Sequence, residues 1–544
     1  MEKIILVGGK AGLGATMTST LLGKIFSKMG YYVFNYRDYP SLIRGGHNFN
    51  ILKISTEPVF SHDEEYDIII AFDQITIDLH EKNLKSNGII LGDSTLKSSK
   101  LIKMNLKKLT DSIEAKTVLS NDALIGALLK LLDLDIDEAI MVIETTFKDS
   151  DKIIEIIKLG YGMVDTKFKM ECIKKEPNYF LTGNEAISLG AIAAGLDVYI
   201  AYPMTPATGV LHEIARLQKK HNVLSVQIED EIGVANSALG CSFAGAKTMI
   251  GTSGGGFDLM TEALSLQGIV EIPLVVYLSQ RTGPSTGVPT YTEQGDLKMA
   301  LSCGHGEFPR IILAPGDADE CFYRTAEALY LAEKYRMLVI LLGDKHIGEN
   351  NYTVNNFSKI IDNKKFIISP RKDYKNYEYA SNGVSARAVP GFDVVVKVNS
   401  YEHDEYGNTI EDAETTKKMK EKRVLKMATV AKEIEKLNPA SIYGAGENLI
   451  IGWGSTKGAI IDTIKDLKNY RFLQVNYLWP FPIKAISDEI KKSKTVVLVE
   501  NNQTGQLGNL IKEQTGFEIK NKLLRYDGRP FTKNDIIKGV SKWK

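Results

Sequence analysis

Short continuous apolar runs alternate with stretches of helical spacing over most of the chain. Lys3–Val7 is a short apolar run, and Gly8-Gly9-Lys10-Ala11-Gly12-Leu13-Gly14 follows it as a glycine-rich loop. Met17, Leu21, Leu22, Ile25, Phe26 and Met29 then recur at helical spacing and stop at Gly30. Tyr32–Tyr36 reads as the next strand. Asp67–Phe72 and Gly88–Leu91 are continuous apolar runs of the kind buried on both faces of a parallel sheet. Residues 1–175 are therefore expected to form one α/β unit.

The same alternation restarts twice. Gly183-Asn184-Glu185-Ala186 opens a helix that should end near Gly195, and Val198–Tyr202 is a strand running into Tyr202-Pro203-Met204-Thr205-Pro206. Two prolines around a Met-Thr pair deny this turn a helix and stiffen its backbone. Glu229-Asp230-Glu231 then starts an Ala/Gly-rich helix, and Gly251-Thr252-Ser253-Gly254-Gly255-Gly256 reads as a glycine loop. Leu274–Ser279, Ile311–Ala314 and Met337–Gly343 are further strands, which gives a second unit over 180–350. Residues 351–440 lose the periodicity and hold one charged helix, from Asp412 to about Leu437, expected to cross between domains. Asn448–Gly452 and Val496–Glu500 restart the pattern for a last unit over 441–544. The expected fold is α/β and multidomain, with a helical and irregular connector before the last unit.

Composition narrows the class. The chain has 544 residues, too many for one core. Lys+Arg and Asp+Glu are equal at 67 each, so no global field favours nucleic acid or an anionic membrane. Cys172, Cys241, Cys303 and Cys321 stand far apart and offer neither a Cys-ligated zinc nor an iron–sulfur spacing. No run approaches the roughly 18 apolar residues of a membrane span, and the N-terminus lacks a signal-peptide core. A cytoplasmic protein with buried free thiols is expected.

Three segments carry candidate chemistry. The N-terminal glycine loop has G-x-x-G-x-G spacing, which matches neither the dinucleotide fingerprint nor a P-loop. Nucleotide binding and a plain strand–helix turn both stand at that point. Carboxylates in apolar surroundings beside small residues have raised pKa values and can exchange protons with a cofactor. Glu229, Asp230 and Glu231 invite that reading, although an acidic start is also what any helix dipole favours. The long stretch Gln280–Leu297 has one arginine, Arg281, among Gly, Pro and Thr, and irregular segments of that length inside a compact domain are usually functional.

Together these motifs resemble the 2-oxoacid:ferredoxin oxidoreductases, specifically an α subunit with the family's γ domain fused ahead of it. The resemblance covers essentially the whole chain. It rests on Tyr202-Pro-Met-Thr-Pro206, Thr252-Ser-Gly-Gly-Gly-Phe257, Gly283-Pro-Ser-Thr-Gly-Val-Pro-Thr290 with Gln294-Gly-Asp-Leu297, and Glu500-Asn501 with Gly505-Gln506-Leu507. In the first unit it rests on the glycine loop and Arg44-Gly45-Gly46, with Lys10-Ala11 departing from the usual Gly-Gln.

The resemblance implies a γ domain over 1–175, a doubly wound thiamine-pyrimidine-binding domain over 180–350 and a transketolase C-terminal-like domain over 441–544. It implies oxidative decarboxylation of a 2-oxoacid to an acyl-coenzyme A, with thiamine diphosphate shared with a β subunit. That subunit would hold Mg2+ and a 4Fe–4S cluster and pass electrons to ferredoxin, in a dimer of heterodimers without nucleic acid or membrane. Glu231 would be the carboxylate that activates thiamine, with Glu229 as its rival. Thr205 and Arg281 would bind the substrate carboxylate, and Thr252, Ser253 and Gly254 the cofactor. Thr205 could instead only fix its turn, and Arg281 could instead pair with a surface acid. The Gly-Asp pairs at Gly92, Gly316 and Gly343 lack the third glycine of a diphosphate motif, so that half of the site would lie on the partner. The γ-like unit has two readings, contact with coenzyme A or with the α domains of its partner. The fusion itself favours 2-oxoglutarate or broad specificity. Rival readings are a non-catalytic scaffold subunit and an NAD-linked dehydrogenase.

Overall fold

β-branched and aliphatic runs too short for helices become buried strands, and the amphipathic stretches between them cover the faces. A computed structural model describes all residues except 42–44, 114–116, 172, 174–177, 359 and 544. Arg44 and Cys172 thus lie outside the described residues. Contacts divide the chain into two compact units, Met1–Leu181 with Asn350–Asn356 and Thr532–Asn534, and Thr182–Glu349 with Phe357–Phe531 and Asp535–Lys544.

In the first unit the strand Glu2–Lys10 lies in an eight-stranded sheet. It pairs antiparallel with His47–Ser55 and parallel with Tyr66–Ala71. The apolar runs predict this pairing, but the strand passes through Gly8 and Gly9 to Lys10, leaving a shorter turn than the glycines suggest. A Cβ on Gly8 would stand 2.7 Å from the Thr76 methyl, so strand and helix approach too closely there for a side chain. The helix Ala15–Lys28 buries Leu21, Leu22, Ile25 and Phe26, whereas Met17 is 65% exposed on its outer face. The strand Asn351–Val354 returns to this sheet beside Tyr32–Asp38.

The second unit holds two sheets among its described residues. The seven-stranded one runs Tyr477–Trp479, Arg310–Leu313, Leu338–Asp344, Leu274–Gln280, Thr248–Thr252, Val198–Ala201, Leu224–Gln227. All neighbours are parallel except Tyr477–Trp479, which closes one edge antiparallel. The five-stranded sheet is built around Asn448–Gly452, Tyr470–Val475 and Val496–Glu500. One hydrophobic core joins the two sheets, with Ile250, Val276 and Ile340 from the first and Leu449, Ile451 and Leu498 from the second.

The helix Ala413–Ile434 belongs to this second unit and is partly buried within it. Its charges are the reason. Lys422 and Lys426 are buried and both bind the buried Glu271 carboxylate, Lys422 at 2.7 Å. Arg336, also buried, donates to the Glu271 and Asn376 carbonyls.

Candidate active site

In a parallel sheet flanked by helices, ligands sit beyond the carboxyl ends of the strands, near the place where strand order reverses. Four adjacent strands of the seven-stranded sheet deliver every candidate residue to that edge. Val198–Ala201 runs into the Tyr202–Pro206 turn, and Leu224–Gln227 into Glu229–Glu231. Thr248–Thr252 runs into Ser253 and Gly254, and Leu274–Gln280 into Arg281.

Asp230 caps the helix Glu231–Phe243, its carboxylate accepting from the Ile232 N–H at 3.0 Å and the Gly233 N–H at 3.4 Å. This fixes Glu231 at the first helical position, turned inward and 5% exposed, while Glu229 is exposed. Among the described residues no hydrogen-bond donor reaches the Glu231 carboxylate.

Gly254, Gly255 and Gly256 are not a loop but the first turn of the helix Gly254–Val270. Small residues are needed there by contact. A Cβ on Gly256 would stand 2.2 Å from Thr252 Oγ1 and 2.6 Å from Glu231 Oε1, and one on Gly254 would stand 2.8 Å from Asp296 Oδ2. The glycines let two carboxylates approach a helix amino terminus, where backbone N–H groups and the dipole favour negative charge. Ser253, wholly buried at the cap position, has a hydroxyl without a hydrogen-bond partner among the described residues.

Arg281 donates to the Thr205 carbonyl at 2.8 Å, its one hydrogen bond among the described residues. The structure therefore brings Thr205 and Arg281 together, through the threonine backbone. Burial lowers the Arg281 pKa, against the pull of Asp296. Two carboxyls of the Arg281 loop have raised pKa values. Burial, Glu293 and Asp258 push Asp296 up to about 7 against the opposing charge of Arg281, and burial also raises Glu293. Sequence reasoning gave neither residue a role, although Gln294-Gly-Asp-Leu297 marks the segment.

The Glu500 motif has a structural task here. The Glu500 carboxylate is wholly buried and accepts from Trp453 Nε1 at 3.1 Å, Asn502 Nδ2 at 2.8 Å and the Leu507 N–H at 2.9 Å. That order presents Asn501 and Asn502 to the Arg281 loop. The Gln294 N–H donates to the Asn501 carbonyl at 2.7 Å, the Asn501 N–H to Gln294 Oε1 at 2.9 Å, and Asn502 Nδ2 to the Gln294 carbonyl at 2.9 Å. Two motifs far apart in sequence form one joint.

The Gly-Asp pairs are likewise in local use. Asp93 accepts from the Thr95 and Leu106 N–H groups, Asp317 caps a helix and binds Lys457, and Asp344 accepts from the Ile347 N–H. Among the described residues no group of three or more His, Cys, Asp and Glu is placed to hold a metal ion. Cys241, Cys303 and Cys321 are free thiols, and no described helix is long and apolar enough to cross a membrane.

Comparison with known proteins then fixes the family. Residues 189–422 match the family model of pyruvate flavodoxin/ferredoxin oxidoreductase, thiamine diP-bdg, and residues 4–162 that of pyruvate ferredoxin/flavodoxin oxidoreductase. The α subunit of a 2-oxoacid:ferredoxin oxidoreductase from Sulfolobus sp is 31% identical over 99% of this chain and 96% of its own length. The chain belongs to the 2-oxoacid:ferredoxin oxidoreductase α-subunit family. This α subunit is also 30% identical to the 2-oxoglutarate synthase subunit KorA of Methanothermobacter thermautotrophicus, over 60% of this chain and 88% of that one. A solved structure of 2-oxoglutarate:ferredoxin oxidoreductase from Magnetococcus marinus, with 2-oxoglutarate, coenzyme A and succinyl-CoA bound, superposes with a TM-score of 0.91. It covers 99% of both chains at 28% identity. The fold is thus that of this α subunit's family, and its function that of a ferredoxin-dependent 2-oxoacid oxidoreductase within a multisubunit complex.

Proposed function

We propose that the edge formed by Glu231, Thr252, Ser253, Gly254, Thr205 and Arg281 is the pyrimidine side of a thiamine diphosphate site, completed by a β subunit. The observation that carries this reading is the buried Glu231 carboxylate, set against Thr252 and Gly256 with no donor from the chain's described residues. The group fits these residues. A ring nitrogen can serve the carboxylate, and the partnerless Ser253 hydroxyl and the glycine turn leave space and polarity beside it. When bound, thiamine diphosphate supplies the carbon nucleophile and electron sink for decarboxylating a 2-oxoacid. Glu231 holds a proton at the pyrimidine, and Arg281 clamps the substrate carboxylate with a planar guanidinium already oriented by the Thr205 carbonyl.

Overall, a 2-oxoacid and coenzyme A yield acyl-coenzyme A, carbon dioxide, a proton and two electrons. A 4Fe–4S cluster in the β subunit would supply the one-electron path to ferredoxin. The Mg2+ and diphosphate contacts also fall to that partner, in a dimer of heterodimers located in the cytoplasm. A 2-oxoglutarate or broad 2-oxoacid preference is supported by the names of the relatives described above.

The test is Arg281→Ala in the complex with the β subunit. Losing a charge-assisted pair at roughly 1.5–3 kcal/mol should raise KM for the 2-oxoacid by about ten- to a hundredfold. Unchanged KM and turnover in both Arg281→Ala and Thr205→Ala would instead favour a scaffold role.

A further inference from the structure

The Arg281 loop contributes more than the arginine. Asp296 lies on the same loop, its N–H bound at 2.9 Å by Gln280 Oε1, the residue directly before Arg281. Gln280 is itself anchored by donating to the Gly343 carbonyl at 3.0 Å. Asp296 and Arg281 thus hang from neighbouring points of one fixed strand end, and the Asp296 carboxylate reaches the first turn of the helix Gly254–Val270 at Gly254. That turn also meets Glu231 two residues on.

The charged groups facing Asp296 are Glu293 from its own loop, Asp258 from the helix Gly254–Val270, and Arg281. The motif after the strand Val496–Glu500 touches this loop with neutral Asn501, Asn502 and Gln506, and further along the loop Arg529 stacks on Tyr291 at 3.7 Å. Among the groups facing Asp296, Arg281 is thus the one cation against three carboxyl groups, before any anionic substrate enters.

We propose that Asp296 gates anionic substrate at Arg281. With its carboxyl protonated it leaves the guanidinium to the 2-oxoacid carboxylate, and once ionised it opposes that carboxylate. Asp296 is a positioning residue in this scheme. It acts through the charge balance around Arg281 and takes no part in bond making. Binding of the anion favours the neutral form, so substrate uptake is linked to proton uptake whenever Asp296 is ionised in the free site. Burial and the two neighbouring acids already place its titration near neutrality. The gate therefore works near neutral pH.

This inference rests on the functional reading above and is tested on the complex with its β subunit. KM for 2-oxoglutarate and for pyruvate is measured from pH 6 to 8.5 at saturating coenzyme A. In the wild-type complex KM should be flat below about pH 7 and then rise towards about tenfold per pH unit, the limit for one linked proton, while kcat does not follow this rise. Asp296→Asn should flatten the profile. Glu293→Gln removes a charge that holds the Asp296 proton, so the rise should begin at lower pH.

A wild-type KM that does not change with pH, or a slope that survives in Asp296→Asn, overturns the gate. If Asp296→Asn fails to assemble, Glu293→Gln decides, and an unmoved midpoint overturns it. A wild-type complex with no 2-oxoacid-dependent reduction would overturn the functional reading, and the gate with it. Activity with a flat KM would overturn the gate alone.

Discussion

Glu231→Gln should lower turnover of the assembled complex by at least about a hundredfold, the scale on which a positioned proton-transfer group acts. Glutamine keeps the shape of the side chain against Gly256 and Thr252. Packing and assembly with the β subunit should therefore survive, as size-exclusion chromatography and melting would show. What is lost is the ability to hold and return a proton at the pyrimidine. Glu229→Gln is the matched control. Glu229 is exposed and lies outside the contact with Gly256, so its replacement should leave turnover near wild type. Full activity in Glu231→Gln would remove Glu231 from its role, and a loss confined to Glu229→Gln would transfer the role there.

The second large effect is on stability. Glu271→Gln should destabilise the chain by about 3–5 kcal/mol in urea unfolding, because it leaves Lys422, Lys426 and Arg336 buried without their anion. Burial alone would raise the Glu271 pKa, but the three cations outweigh it and hold the carboxyl well below its usual range. Its contribution is thus fully present above the ordinary glutamate pKa and is lost as pH falls towards the depressed folded value. Lys426 behaves oppositely. Burial pushes its pKa down to about 7 despite Glu271. Between about pH 7 and the ordinary lysine value near 10.4 the unfolded chain then binds more protons, so stability rises with pH there. A control at Glu414, which meets Lys418 on the exposed side of the same helix, should show no measurable loss. Equal effects at Glu271 and Glu414 would contradict this account of how the helix Ala413–Ile434 is held.

Much of this was legible in the sequence because burial on both faces forces continuous apolar strands. Asp67–Phe72 and Leu274–Ser279 needed no other signal. The candidate residues were legible for a related reason, since a turn at the end of each parallel strand is where Gly, Pro and polar residues collect. What escaped depends on contacts between distant segments. Three consecutive glycines read as a loop, and only the approach of Glu231, Thr252 and Asp296 shows why a helix begins with them. The joint between Gln294 and Asn501 spans 207 positions, so no local pattern marks it. Asp296 fell within a marked motif but without a role, because nothing in its neighbours along the chain reveals Asp258 or Gly254 beside it. The charged helix gave no sign that Lys422 and Lys426 are buried, because a lysine's sequence context does not say whether a buried glutamate awaits it.

The most direct test of the central claim is a titration of thiamine diphosphate into the cofactor-depleted complex of this chain with its β subunit. Ferredoxin reduction is followed with 2-oxoglutarate and with pyruvate in the presence of coenzyme A. The account predicts no activity without thiamine diphosphate, saturable recovery on adding it, and recovery that fails when Glu231→Gln replaces the wild-type chain. Full reduction without thiamine diphosphate, or full recovery with Glu231→Gln, would contradict it.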